Sequence, residues 1–157
     1  MRIPTAREME GYVNKNISEI CGCAFHDNSL NHCAHFVCHA TELKFGYTCF
    51  NQTSSGSQDI SANIRVHEVF AQCRRVGAWA DKPTDLRIGF IFVTAASNVN
   101  VQSKTMVNVQ RKHIGIFIGQ DVWQYKNRFR HVIKQTPAQF GQHYGAGYAT
   151  FFGEFPL

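Results

Sequence analysis

Cys33 stands in the run Asn31-His32-Cys33-Ala34-His35-Phe36-Val37-Cys38-His39-Ala40, where two cysteines and three histidines share ten positions. A small polar residue, a cysteine and then apolar residues at helical spacing predict a thiol on the first turn of a helix. The unpaired N–H groups and positive dipole end of such a turn favour thiolate over thiol. An ordinary cysteine titrates at about 8.5, and a helix start with a histidine beside it lowers that by several units. Thiolate chemistry of this kind calls for a base. The candidate is His113, in Lys112-His113-Ile114-Gly115-Ile116-Phe117-Ile118-Gly119, which reads as a strand opened by a histidine. A two-residue turn at Gln120-Asp121 and a return strand from Val122 to Tyr125 complete a hairpin. A cysteine with a histidine far downstream is a nucleophile and base candidate, spatially adjacent in the fold.

These two stretches resemble the NlpC-type cysteine peptidases and amidases, papain-like enzymes related to the CHAP amidases, many of which cut bacterial cell-wall peptides. Asn-His-Cys-Ala-His-Phe-Val corresponds to the family's polar-Cys-x-x-Phe-Val, and His-Ile-Gly-Ile-Phe-Ile-Gly to its His-Val-Gly-Ile-Tyr-Ile-Gly. Between them Lys82-Pro83-Thr84-Asp85-Leu86 resembles the Pro-Gly-Asp-Leu that leads into the family's first core strand, so the likeness spans residues 30 to 127 in order. It implies an α+β, papain-like fold with N-terminal helices packed on an antiparallel sheet. It also implies Cys33 as nucleophile, His113 as base and peptidoglycan stem peptides or cross-links as substrate. The third, ring-orienting member is open. With a two-residue turn Gln124 shares a face with His113; a three-residue loop puts Tyr125 there instead, and Asn127 is a further candidate. Gln124 is the expected member. The oxyanion donor is expected to be the backbone N–H of Cys33, with a neighbouring side chain such as His32. His32, His35 and Trp123 are the expected substrate-side residues, the two histidines as cleft wall or surface.

A metal site is the rival reading. Cys21, Cys23, His26, His32, Cys33, His35, Cys38 and His39 crowd nineteen positions. Structural zinc favours two pairs of ligands with two to four residues between members, whereas Cys21 and Cys23 have one residue between them. His35 and His39 lie one helical turn apart, but Phe36 stands where a zinc-protease helix needs glutamate. No metal and no cofactor is therefore expected, and Cys38 is expected to be buried and inert.

The 157 residues suit one domain with a proper core: 44% are hydrophobic and 17% charged. The net charge of +5 favours anionic partners such as wall polymers, but the basic residues are scattered, so no nucleic-acid partner is expected. The start, Met1-Arg-Ile-Pro-Thr, lacks the apolar core of a signal peptide, and no stretch approaches a membrane span. The expectation is a chain cytoplasmic as synthesised, without membrane insertion, and exported, if at all, by a route that reads no cleavable signal. That suits an effector-like amidase, whose partner would be a cognate inhibitor (immunity) protein, or an intracellular amidase or deconjugating peptidase. Two readings from other classes are a zinc-stabilised binding module and a catalytically silent papain-like domain. The six cysteines show no regular disulfide spacing.

The elements that must position these residues are legible in outline. Thr5 and Glu8 form a capping box, followed by a helical stripe of Met9, Tyr12, Val13, Ile17 and Ile20. A second helix is predicted over 31–43, an exposed loop over 51–59 and a third helix over 61–75. Strands are predicted over 88–94, 130–135 and 148–153, with Thr136-Pro137 opening a short helix between the last two. The polar segment 95–111 is either an irregular hairpin or a mobile flap.

Overall fold

The computed structural model describes all 157 residues and is α+β, with a mostly antiparallel sheet and short helices. The chain divides into two compact units, Met1–Arg65 with Trp123–Lys134, and Val66–Val122 with Gln135–Leu157.

The first unit opens with α1 (Ala6–Glu10), where the expected box forms: Thr5 Oγ1 accepts from the Glu8 N–H and the Glu8 carboxylate accepts from the Thr5 N–H. The helix is shorter than the apolar stripe predicts. It stops at Gly11, Asn14 takes a left-handed φ of 68°, and Val13 forms a parallel bridge with Val132. Asn16 then starts a separate 3₁₀ turn, Ile17–Glu19, with its own capping box to Glu19. Two strong caps outweigh the helical period of the apolar residues between them.

Helix α2 (Cys33–Thr41) starts two residues later than predicted and ends on Glu42 in the left-handed region, with the Leu43 N–H closing on the Cys38 carbonyl. Helix α3 (Cys49–Thr53) lies partly where a loop is predicted. Thr48 and Asn51 make its capping box, and Asn in the place of the usual Glu hides that box in the sequence. Strand β6 (Asp121–Lys126), from Trp123 onward, and most of β7 (His131–Gln135) complete this unit. Their turn begins at Lys126, and the turn before β6 is at Gly119-Gln120, one residue earlier than predicted, because Gly119 supplies the positive φ of 62°. The Tyr125 ring is buried, and its hydroxyl accepts from Ile17 N–H (3.3 Å) and Asn16 Nδ2 (3.1 Å).

The second unit holds α4 (Val66–Gln72), β1 (Val76–Ala78), β2 (Ile88–Thr94), β3 (Val99–Asn100), β4 (Thr105–Met106), β5 (Lys112–Ile118), α5 (Pro137–Gly141) and β8 (Ala149–Gly153). Helix α4 begins five residues after the predicted start. Strand order in this unit is β1-β8-β2-β5, all antiparallel, with Ile91 opposite Gly115 and Phe152. The apolar run of β2 is buried on both faces. Phe90 and Phe92 pack with Phe70 and Phe155, while Ile91 and Val93 pack with Phe117, Val122 and Phe140. The segment after β2 holds a small hairpin, β3 with β4.

Candidate functional site

Four side chains of the first unit converge: Cys21 from the loop after the 3₁₀ turn, His35 and His39 from α2, and Cys49 from the first residue of α3. Their ligand atoms all lie within 4.8 Å of one another. His35 and His39 are four apart on one helix, so their rings stack up one face, and their Nε2 atoms are 3.2 Å apart. The sulfurs of Cys21 and Cys49 are 3.8 Å apart, and Cys49 Sγ is 4.0 Å from His39 Nε2. Cys21, His35 and Cys49 are buried and His39 is half-buried. None of the six cysteines is in a disulfide.

The surroundings hold His35 and Cys49 in the forms that bind a cation. Asp27 offers only a carbonyl oxygen to His32 Nε2 (2.8 Å), so that nitrogen carries the proton. Burial lowers the His32 pKa, which keeps the ring neutral and leaves Nδ1 as an acceptor. His32 Nδ1 lies 3.1 Å from His35 Nδ1, so His35 donates there and its Nε2 lone pair faces His39 and the sulfurs. Burial brings the His35 pKa down to about 4, so its ring too is neutral at physiological pH. On the sulfur side, the Ala62 N–H donates to Cys49 Sγ (3.4 Å) and the Cys23 N–H to Cys21 Sγ (3.2 Å). The Cys21 thiol, and then the two imidazoles, favour the Cys49 thiolate and pull its pKa down; the same Cys21–Cys49 bond and burial push Cys21 up.

Cys21 and Cys23, with one residue between them, lack the spacing of a zinc-ligand pair. The structure instead groups Cys21 with Cys49, 28 residues away, across the histidine pair. Cys23 is buried beside Gly56, its pKa raised by burial. The i, i+4 histidines were visible in the sequence; the contribution of Cys49 was not, because it depends on how the loop after α2 folds back.

The residues expected to do thiol chemistry are placed as follows. Cys33 is the first residue of α2 and is 1% exposed. Its backbone N–H, the expected oxyanion donor, donates to Asn31 Oδ1 at 2.9 Å, so an oxyanion there competes with that side chain. Gln124 is fully buried in β6, Tyr125 is committed to Asn16 and Ile17, and Asn127 Oδ1 accepts from the His32 N–H (3.1 Å). In the second unit His113 is the second residue of β5, buried, and its ring stacks on His143 at 3.8 Å between centroids with Phe140 beside it. His32 and His35 are fully buried, with their ring nitrogens turned to one another, to Asp27 and to His39. Trp123 is likewise fully buried, with Lys134 Nζ 5.2 Å from its ring centroid.

Comparison with protein-family models, with curated proteins and with solved structures finds no match to this chain.

Proposed function

We propose that the protein is a papain-like cysteine hydrolase, similar to the NlpC-type amidases, that cleaves an amide bond of peptidoglycan stem peptides or cross-links. The observation that carries this reading is Cys33 as the opening residue of the nine-residue helix α2. There the helix dipole and first-turn N–H groups favour its thiolate. The order of elements agrees with it: a helix opened by cysteine, then a strand with histidine as its second residue, then a return strand carrying Gln124. The net charge of +5 suits an anionic wall.

In this mechanism His113 takes the proton of the Cys33 thiol, and the thiolate attacks the amide carbonyl carbon. The tetrahedral intermediate collapses by breaking the C–N bond, and the imidazolium returns its proton to the leaving amine. Water, deprotonated by His113, then attacks the thioester; the C–S bond breaks, giving a carboxylic acid and the restored thiol. Gln124 orients the imidazole in the role of a third triad member.

The test is alkylation of the native protein by iodoacetamide across a pH series, with peptide mapping, in wild type and in His113→Ala. Fast labelling of Cys33 alone, well below the pKa of about 8.5 of an ordinary thiol, and its loss in the variant are expected. Labelling of Cys33 no faster than that of Cys38 overturns the reading.

A further inference from the structure

We propose that Cys21, His35, His39 and Cys49 form a structural Zn²⁺ site that fastens the loop before α2 and the start of α3 to α2. The proposal is independent of the hydrolase reading, since none of its four ligands takes part in that chemistry.

The donor set and its spacing point to this ion. Zinc bound to two thiolates and two imidazoles is tetrahedral, with Zn–N of about 2.0–2.1 Å and Zn–S of about 2.3 Å. A tetrahedron with those arms has edges of about 3.3 Å between nitrogens, 3.8 Å between sulfurs and 3.6 Å between nitrogen and sulfur. The corresponding separations are 3.2 Å for His35–His39, 3.8 Å for Cys21–Cys49 and 4.0 Å for His39–Cys49. No other pair of the ligand atoms exceeds 4.8 Å.

Charge argues the same way. Two thiolates and one Zn²⁺ sum to zero, so the complex avoids the cost of a net charge in a site where three of the four ligands are buried. Each of the two sulfurs already has a backbone N–H donor, from Ala62 and Cys23, of the kind that supports a metal-bound thiolate. His32, held by the Asp27 carbonyl, fixes the ring orientation and tautomer of His35, the outer-layer arrangement that metal-bound histidines require. Two sulfurs and two nitrogens select zinc over calcium or magnesium, which take oxygen, and four protein ligands leave no position for a reacting water. A pocket of about 400 Å³ lined by Ile20, Gly22, Glu42, Asp59 and Ile60 reaches the half-buried His39.

The experiment begins with elemental analysis of the full chain produced with zinc in the medium, followed by chelation and titration of the metal-free protein with Co²⁺. One zinc per chain is expected, with a fall in Tm on chelation that zinc restores. Cobalt should give the strong visible bands of a tetrahedral site and a thiolate-to-cobalt charge-transfer band. Cys49→Ser and His39→Ala should lose stoichiometric metal, while Cys23→Ser keeps it. The cobalt titration needs only the wild-type chain, so a variant that fails to fold does not decide the outcome. Sub-stoichiometric zinc together with an octahedral cobalt spectrum overturns the proposal. So does a Cys21–Cys49 disulfide in the zinc-replete protein, or metal retained in Cys49→Ser and lost in Cys23→Ser.

Discussion

His32 and His35 meet through their Nδ1 atoms, 3.1 Å apart, and only one of the two can carry a proton there. The Asp27 carbonyl settles which, because it must receive a proton from His32 Nε2. A backbone oxygen thus dictates, through one neutral ring, that the second ring directs its lone pair at His39, Cys21 and Cys49. The pair explains why two fully buried imidazoles adjoin without burying a charge.

The first prediction concerns that relay. His32→Ala leaves His35 free to flip or to change tautomer, and the Kd for Co²⁺, measured by competition with a chelator, should rise about 10–100-fold. His32→Gln, whose amide oxygen accepts from His35 Nδ1, should recover part of that loss. A purely structural role for His32 would lower Tm in both variants equally and leave the Kd of the folded protein unchanged.

The second prediction concerns how the first unit holds its opening segment. The Tyr125 hydroxyl is the acceptor for the Ile17 N–H, a backbone donor of a fully buried residue. Asn16 has other partners, Asn28 Oδ1 and the Arg130 carbonyl, so it tolerates the loss of this hydroxyl better. Tyr125→Phe therefore strands chiefly the Ile17 N–H, at a cost of about 1–3 kcal/mol. Urea unfolding monitored by tryptophan fluorescence measures it; a midpoint unchanged from wild type would show that the hydroxyl contributes nothing net.

Particular residues show what the sequence could and could not reveal. Capping is local, and Thr5–Glu8 and Thr136–Pro137 both start helices where predicted. The continuous run Ile88–Thr94 is an internal strand because both its faces are covered, as an apolar run of that length requires. Periodicity failed between Met9 and Ile20, where Gly11 and Asn14 interrupt a sequence whose apolar spacing alone is helical. The Cys/His group was half legible: His35 and His39 declare themselves by their separation on α2. Cys49 joins them only because the chain turns back after Glu42 and the Cys49 N–H bonds to the Ala62 carbonyl, contacts that no local pattern encodes.

The third prediction is a pH dependence. The Glu8 carboxylate accepts from the Thr5 N–H and hydroxyl and pairs with Arg2, and these bonds, the Thr5 N–H foremost, hold its pKa below the ordinary value. A carboxyl whose folded pKa is depressed contributes stability above its unfolded pKa, about 4.3, and loses it as pH falls through the folded value. Glu8→Gln should therefore narrow the difference in Tm between pH 6 and acid conditions, while Thr5→Ala should raise the Glu8 pKa in an NMR titration. A Glu8 pKa unmoved by Thr5→Ala would remove the capping box as its cause.

The fourth prediction separates the two chemistries assigned to α2. Cys33 and His35 are two residues apart on the same helix and so leave its axis about 160° apart. Cys33→Ala should abolish release of new amino groups from purified peptidoglycan fragments, by at least about a thousandfold, because no other group replaces an attacking thiolate. It should leave zinc content and the cobalt spectrum as in wild type. His39→Ala should do the reverse at the metal while lowering activity only through the Tm of α2, so activity measured well below that Tm should persist. If Cys33→Ala retains hydrolysis while His39→Ala loses it in the folded state, the reaction belongs to the metal and the Cys33 mechanism is wrong. If neither variant has activity to lose, the hydrolase reading falls, and the metal content of the wild type still decides the site in the first unit.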